Sequence, residues 1–423
     1  MSSLFSVALS PEFAQTPDGE EAEAILRKCV HCGFCTATCP TYQLLGDERD
    51  GPRGRIYLMK QLLEGEEVTV HTQQHLDRCL TCRNCESTCP SGVQYGRLVD
   101  IGRRLIDERV RRPAKERAIR WLLREGLTSP LFAPALKIGR LMRPLLPAKL
   151  GNKLPVAKFA GHWPSRKHKR KVLLLAGCVQ PAMMPNINTA TARVLDAAGI
   201  EVVTAAKTGC CGAIRMHTGD HDGALDEMRR NIDAWWPSIS LGEVEAIVMN
   251  ASGCGATVKD YGHPLRHDRE YAEKAARIGA LTRDLSEFLP DLLPALCERV
   301  KSGKCSALAF HPPCTLQHGQ KLRGTVEDSL RLLGFTVHLA RNESHLCCGS
   351  AGTYSVLQPE IAYKLRDRKL EHLAANEAEC IVSANIGCIQ HLQSGTATPV
   401  KHWIEVVDEV LERVPQPEVQ VFF

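Results

Sequence analysis

Two runs of cysteine carry the clearest chemistry in this sequence. Cys29-x2-Cys32-x2-Cys35-x3-Cys39-Pro40 recurs as Cys79-x2-Cys82-x2-Cys85-x3-Cys89-Pro90. Three closely and evenly spaced cysteines let one tight loop aim three thiolates at a cube of iron and sulfide. The fourth follows a longer step, and the proline after it helps turn the chain away. In two-cluster ferredoxins that fourth cysteine ligates the other cluster. The expected ligand sets are therefore crossed. Cys29, Cys32, Cys35 and Cys89 would hold one [4Fe–4S] cluster, and Cys79, Cys82, Cys85 and Cys39 the second. Zinc is the competing reading, but zinc sites usually pair two Cys-x2-Cys units, or one such unit with histidines. Gly33, Thr36, Thr38, Thr81 and Ser87 suit N–H and hydroxyl bonds to cluster sulfur, or serve simply as turn residues. Arg53 and Arg55 either offset cluster charge or are structural.

Eight further cysteines form a second pattern. Cys178, Cys210, Cys211 and Cys254 are answered in the same order by Cys314, Cys347, Cys348 and Cys388, at offsets of 134 to 137 residues. Such matched spacing indicates a duplicated domain. Each set is expected at the ends of strands, where open α/β sheets gather their sites. These eight are candidates for further cluster ligands; the bland alternative is that they are buried packing thiols. Cys297, Cys305 and Cys380 have no counterparts and are expected to be packing residues. His311, His318, His345 and His391 lie near the second set and are left out of the metal set.

The elements that position these cysteines follow from composition and periodicity. At 423 residues the chain is too long for one ordinary core. Residues 1–125, poor in strand formers, are expected to be an α-helical domain with both ferredoxin motifs. Within it Arg55–Leu63 reads as helical, and Asp100 as the cap of a helix bearing Ile101, Leu105 and Ile106. Residues 126–170 read as a basic, proline-rich linker without a long regular element. Beyond it, short apolar runs (Val172–Leu175, Glu201–Thr204, Ala246–Met249, Ala307–Phe310, Cys380–Ser383) alternate with helical patterns such as Asn186–Ala198 and Ala224–Trp236. That alternation predicts two duplicated α/β domains, 171–300 and 301–415, each with a mainly parallel sheet. The fold class is thus α plus α/β. No apolar run is long enough for a membrane span, and Met1–Glu20 lacks the pattern of a signal peptide. The cytoplasm is the expected location.

No Gly-x-Gly-x-x-Gly follows a strand, and no Walker loop or nucleophile elbow occurs. No flavin or NAD site is therefore expected on this chain. Clusters pass single electrons, whereas oxidising a hydroxy acid removes two, so a relay is expected rather than a complete enzyme. Nothing in the sequence points to nucleic acid.

The run Cys29-Val30-His31-Cys32-Gly33-Phe34-Cys35-Thr36-Ala37-Thr38-Cys39-Pro40, with Gly51-Pro52-Arg53-Gly54-Arg55, resembles the iron–sulfur subunits of bacterial glycolate oxidases. So do Asn231-Ile232-Asp233-Ala234-Trp235-Trp236, Pro313-Cys314-Thr315-Leu316-Gln317-His318 and His345-Leu346-Cys347-Cys348-Gly349-Ser350. The likeness runs from about residue 20 to residue 412. It implies a complex with two flavin-type subunits that oxidise glycolate to glyoxylate, and onward transfer to a quinone-linked acceptor. Subunits of lactate and glycerol-3-phosphate dehydrogenases share the architecture. So does the Cys-Cys-Gly subunit of heterodisulfide reductase, which supplies a disulfide-reducing alternative. In that last family each repeat ends in Cys-x2-Cys; here Thr257 and His391 replace the final cysteine.

Charge is unevenly distributed. From Arg103 to Lys171 there are 20 Lys or Arg and 4 Asp or Glu, a local +16 in a chain of net +5. Arg103–Arg124 are expected to solvate helix faces. Lys137–Lys171, ending in the run Arg166-Lys167-His168-Lys169-Arg170-Lys171, is expected to dock on an acidic surface. That surface is the anionic inner face of the cell membrane, giving peripheral attachment, or a flavin subunit.

Overall fold

The computed structural model describes residues 7–145, 156–300, 306–375 and 377–411. The N-terminal part is helical. Its main helices are α1 (Pro17–Leu26), α4 (Pro52–Leu63), α5 (Val70–Asp77) and α7 (Tyr95–Arg109), joined through the short α2 (Phe34–Ala37), α3 (Pro40–Leu45) and α6 (Asn84–Thr88). Their apolar stripes meet in one core that includes Leu26, Met59, Leu62, Leu98 and Ile106. Asp100 does not cap a helix. It sits inside α7, because Tyr95, Leu98 and Val99 extend the buried stripe of Ile101, Leu105 and Ile106 backwards by more than a turn.

The chain expected to be an irregular linker starts as helix. α8 (Ala114–Thr128) is followed by α9 (Phe132–Leu141). Pro134 stands in the first turn of α9, where a missing N–H costs no intrahelical bond. Pro147 and Pro155 lie outside the described residues.

Each repeat is a four-stranded parallel sheet. The order is β2-β1-β3-β4 in the first, built from β1 (Arg170–Leu174), β2 (Ile200–Val203), β3 (Ala246–Met249) and β4 (Thr282–Asp284). It is β6-β5-β7-β8 in the second, from β5 (Ala307–His311), β6 (Thr336–Leu339), β7 (Cys380–Ser383) and β8 (Val400–His402). The central strands β3 and β7 are buried throughout, which is why they read as unbroken apolar runs. The edge strands β4 and β8 have three residues each and left no such signature.

The duplication is visible in how the repeats pack. Helix Pro185–Ala197 of the first lies on Trp403–Val410 of the second, and Thr325–Leu332 of the second lies on Leu285–Cys297 of the first. These are the first long helix and the last helix of each repeat, exchanged, so the interface has the form of a two-fold dimer contact. One apolar cluster spans it, with Ile187, Val194, Phe310, Leu330 and Trp403 among its members. Arg193 Nη2 to Asp408 Oδ2, at 2.6 Å, closes its edge.

Part of the basic middle is spent within the chain. Arg112 pairs with Asp77, Asp107 and Glu116, and Arg120 with Asp77 and Glu116. These arginines knit helices together rather than merely solvating them. In the terminal run, Arg166 and His168 meet Asp196, Lys167 meets Glu201 and Arg170 meets Glu245. That run therefore straps the chain onto the first repeat.

Because the cluster is shared, Trp403→Ala should weaken both repeats together. The expected cost is about 3–5 kcal/mol, seen in urea denaturation as an earlier loss of both sheets. Loss of only the second repeat's signal would mean that the two cores are independent.

Candidate iron–sulfur centres

The two ferredoxin loops have the same backbone. His31 and Gly33 in the first, and Thr81 and Arg83 in the second, all take positive φ. Each loop thus winds left-handed on both sides of its middle cysteine, then enters α2 or α6. Cys39 and Cys89 are extended, as a residue before proline must be. The structure brings the crossed partners near one another. The thiol outside the first loop that acts on Cys29 and Cys35 is that of Cys89, and Cys39 stands beside Cys82 and Cys85. One cavity is lined by Cys29, Cys32, Cys35 and Cys89, with Ile56 and Val93 on its walls and Cys85 of the second loop also at its edge.

Arg55 ties the loops together. It is 1% exposed and donates to His75 O at 2.7 Å and Thr41 Oγ1 at 3.2 Å. It also pairs with Asp50, which receives His75 Nδ1 at 3.0 Å and Arg78 Nη1 at 2.8 Å. Burial works against its charge, but Tyr95, Cys79, Cys39 and Asp50 hold its pKa above the ordinary arginine value. The structural role considered for it is therefore present. Arg53 is exposed by comparison and pairs with Glu48. The small neighbours mostly make turns: Thr36 and Thr38 hydroxyls donate to the carbonyls of Gly33 and Cys35. The Thr81 N–H does reach Cys79 Sγ, at 3.4 Å.

Sequence order places all eight repeat cysteines just after strands, and the fold gathers each set at the carboxyl ends of its sheet. In the first repeat the thiols form a line, Cys178 to Cys210 to Cys211 to Cys254. Cys210 is drawn below the ordinary thiol range because Cys178 and Cys211 both donate to it. In the second the line is Cys314 to Cys347 to Cys348 to Cys388. The Cys-Cys-Gly turn is built identically in both. Gly212 (φ 94°) and Gly349 (φ 90°) are left-handed, and each N–H returns to the first cysteine's sulfur at 3.4 Å. A Cβ on either glycine would meet a carbonyl of the next long helix, Ala224 O at 3.0 Å or Ala362 O at 2.3 Å.

Thr257 and His391 take no part in these sets. Thr257 Oγ1 donates to Gly253 O, and His391 Nε2 bonds Ala362 O at 3.1 Å. Cys380 is buried in β7 as expected of a packing residue, whereas Cys297 is exposed; Cys305 lies outside the described residues.

Two features were not foreseen. Cys82 of the second ferredoxin loop touches Cys314, and Leu80 shares an apolar cluster with Cys314 and Cys347. Polar bonds flank this junction: Asn84 Nδ2 to His345 O at 3.3 Å, Ser87 Oγ to His318 Nδ1 at 3.0 Å and Tyr354 OH to Arg78 O at 2.9 Å. The second is Lys369, 3% exposed, with Cys314, Cys347 and Cys348 beside it. Its counterpart in the first repeat is Asn231, which clamps the turn by donating to Cys210 O at 2.7 Å. No spacing rule marks either feature.

The donor sets fit clusters better than single ions. Among the described residues no three thiols gather within 4.8 Å of one another; the one grouping that does is Asp47, Asp50 and His75, and arginines already surround it. A tetrahedral zinc with Zn–S bonds of ~2.3 Å would need sulfurs ~3.8 Å apart.

Residues 25–93 match the 4Fe-4S dicluster domain family, and residues 172–259 and 308–393 match the cysteine-rich domain family. The glycolate oxidase iron-sulfur subunit of Escherichia coli is 53% identical over 96% of this chain and 99% of its own length. The chain belongs to the glycolate oxidase iron–sulfur subunit family. A probable glycolate oxidase iron-sulfur subunit of Bacillus subtilis is 32% identical over 88% of the chain and 89% of its own length. Lactate utilization protein A of Geobacillus thermodenitrificans matches 56% of the chain at 28% identity. As a member of this family the chain is an iron–sulfur subunit of an oxidoreductase complex, with two [4Fe–4S] clusters in its N-terminal domain. When bound, those clusters supply one-electron transfer.

Gly349→Ala should destabilise the chain by more than the ~1–2 kcal/mol of left-handed strain alone. Gly199, also left-handed (φ 79°) but with nothing near its Cβ, is the control. Equal losses for the two alanine variants in urea denaturation would remove the Ala362 contact as the reason for glycine.

Proposed function

We propose that this chain is the electron-carrying subunit of a glycolate-oxidising complex. Two flavin-type subunits take two electrons from glycolate, giving glyoxylate. This chain passes them singly towards a quinone-linked acceptor. The observation that carries the reading is the 53% identity over nearly the whole chain to a glycolate oxidase subunit. The complex works as a peripheral assembly on the anionic inner face of the cell membrane, where a quinone is reached.

The ligands are Cys29, Cys32, Cys35 and Cys89 for one cluster and Cys79, Cys82, Cys85 and Cys39 for the other. Ile56 and Val93 limit water at the first set, and Arg55 balances thiolate charge at Cys39 and Cys79. Cys82 brings the second set against the second repeat, so Cys314 and its neighbours are the candidate next station. A disulfide-reducing role is disfavoured, since Thr257 and His391 spend their polar atoms on backbone carbonyls.

Two measurements test this. Cys89→Ser should alter the EPR signal of the cluster held by the Cys29 loop; an effect confined to the Cys79-loop cluster would break the crossed assignment. The purified, flavin-free chain should not reduce dye with glycolate and should support activity once flavin subunits are added. Turnover by the chain alone would end the relay reading.

A further inference from the structure

Among the described residues twenty large apolar side chains are exposed, and ten of them lie between Trp121 and Trp163. They concentrate on α9 and its flanks: Leu131, Ile138, Leu141, Met142 and Leu145, with Leu141 82% and Leu145 81% exposed. An ordinary surface helix buries its apolar stripe. Here Leu136 faces inward, and Arg140 on the same side donates to the carbonyls of Ala182 and Met183. That anchoring turns Ile138 and Leu141, three residues apart on one helix face, away from the protein, and Leu145 in the short turn that follows is exposed as well. Lys137 and Arg143 are exposed beside them.

Charge decides what this face meets. Between Glu125 and Asp196 the sequence has no acidic residue at all. Complementarity therefore requires a negatively charged partner surface. An extended anionic surface is met by basic residues alone, with apolar side chains entering between the headgroups. In the terminal run, by contrast, Arg166, Lys167 and Arg170 are drawn into ion pairs with the first repeat.

We infer that α9 and its flanks form the element by which this chain sits on an anionic lipid surface. The inference rests on the peripheral-membrane part of the proposed function and assigns it to specific residues. Ile138, Leu141 and Leu145 enter the headgroup layer, while Lys137 and Arg143 contact lipid phosphates.

The test uses the full chain, purified anaerobically, and phosphatidylcholine vesicles with or without phosphatidylglycerol, at low and physiological salt. The chain should sediment with phosphatidylglycerol vesicles, less at higher salt and little with phosphatidylcholine alone. Lys137→Gln with Arg143→Gln should weaken binding about fivefold per residue. Ile138→Ser, Leu141→Ser and Leu145→Ser together should weaken it roughly tenfold or more, with iron content unchanged. Lys167→Gln with Arg170→Gln, an equal charge change at two ion-paired residues, should leave it unaltered. No binding by the unsubstituted chain would overturn both the inference and the membrane reading. Binding that survives the serine and glutamine changes would overturn the inference and leave the membrane reading standing. If the serine variant keeps vesicle binding but no longer co-purifies with flavin subunits, the face is a subunit interface and the inference fails.

Discussion

The buried contact between Arg55 and Asp50 is what the ferredoxin domain depends on. A guanidinium taken out of water must have its donors met, and the partners available here come from two separate stretches of chain. Thr41 and Asp50 follow the first cysteine run; His75, whose carbonyl accepts from Arg55, precedes the second, and Arg78 beside it pairs with Asp50. Satisfying Arg55 therefore brings the tail of one motif against the head of the other. Cys39, whose sulfur lies 3.3 Å from Thr41 Oγ1, is thereby delivered to the loop of Cys79, Cys82 and Cys85. Removing one partner of such a buried pair costs about 3–5 kcal/mol, enough to release the crossing. The same positive charge lies where thiolates accumulate, so one side chain serves both geometry and electrostatics.

The second loop must also meet the repeats, and the helix it enters does this. α6 offers Asn84 and Ser87 to His345 and His318, so the loop that aims Cys82 is fixed from both sides. The first repeat is held differently, through ion pairs at its periphery. Glu21 meets His263 and Arg266, Arg97 meets Asp260, and Arg215 meets Glu125. The two contacts are not interchangeable. One joins thiol to thiol, and the other only fixes orientation.

Much of this was legible from residue types alone. Evenly spaced thiols in one loop, repeated with a proline after the fourth, are a local signal that tertiary context cannot easily mimic. The strands β3 and β7 were visible because both their faces are buried. What escaped has a common cause. β4 and β8 are too short for a period, and Pro134 in α9 suggested a break because its place in the first turn could not be known. Asp100 looked like a cap until Tyr95 proved to belong to the same stripe. The Cys82–Cys314 contact joins residues far apart in sequence, and Lys369 looks like any helix lysine until it is seen to be buried.

Lys369 also separates the repeats chemically. Both copies keep the left-handed glycine, the N–H returned to sulfur and the helix carbonyl overhead, so the scaffold of the turn has been preserved. Seven residues beyond that carbonyl, the first repeat has Asn231, which needs no counter-charge, with Glu227 near Cys210. The second has a buried amine. Two carbonyls, of Glu343 and Ser344, solvate its ammonium, yet burial still lowers its pKa. Negative charge on Cys314, Cys347 and Cys348 would act in the opposite sense, though hydrogen bonds among the thiols and burial leave all three above the ordinary thiol range. A buried lysine beside a neutral thiol set would be a net cost, whereas beside sulfur carrying negative charge it is balanced. The repeat that touches Cys82 is thus the one furnished with the cation, so contact and charge single out the same copy.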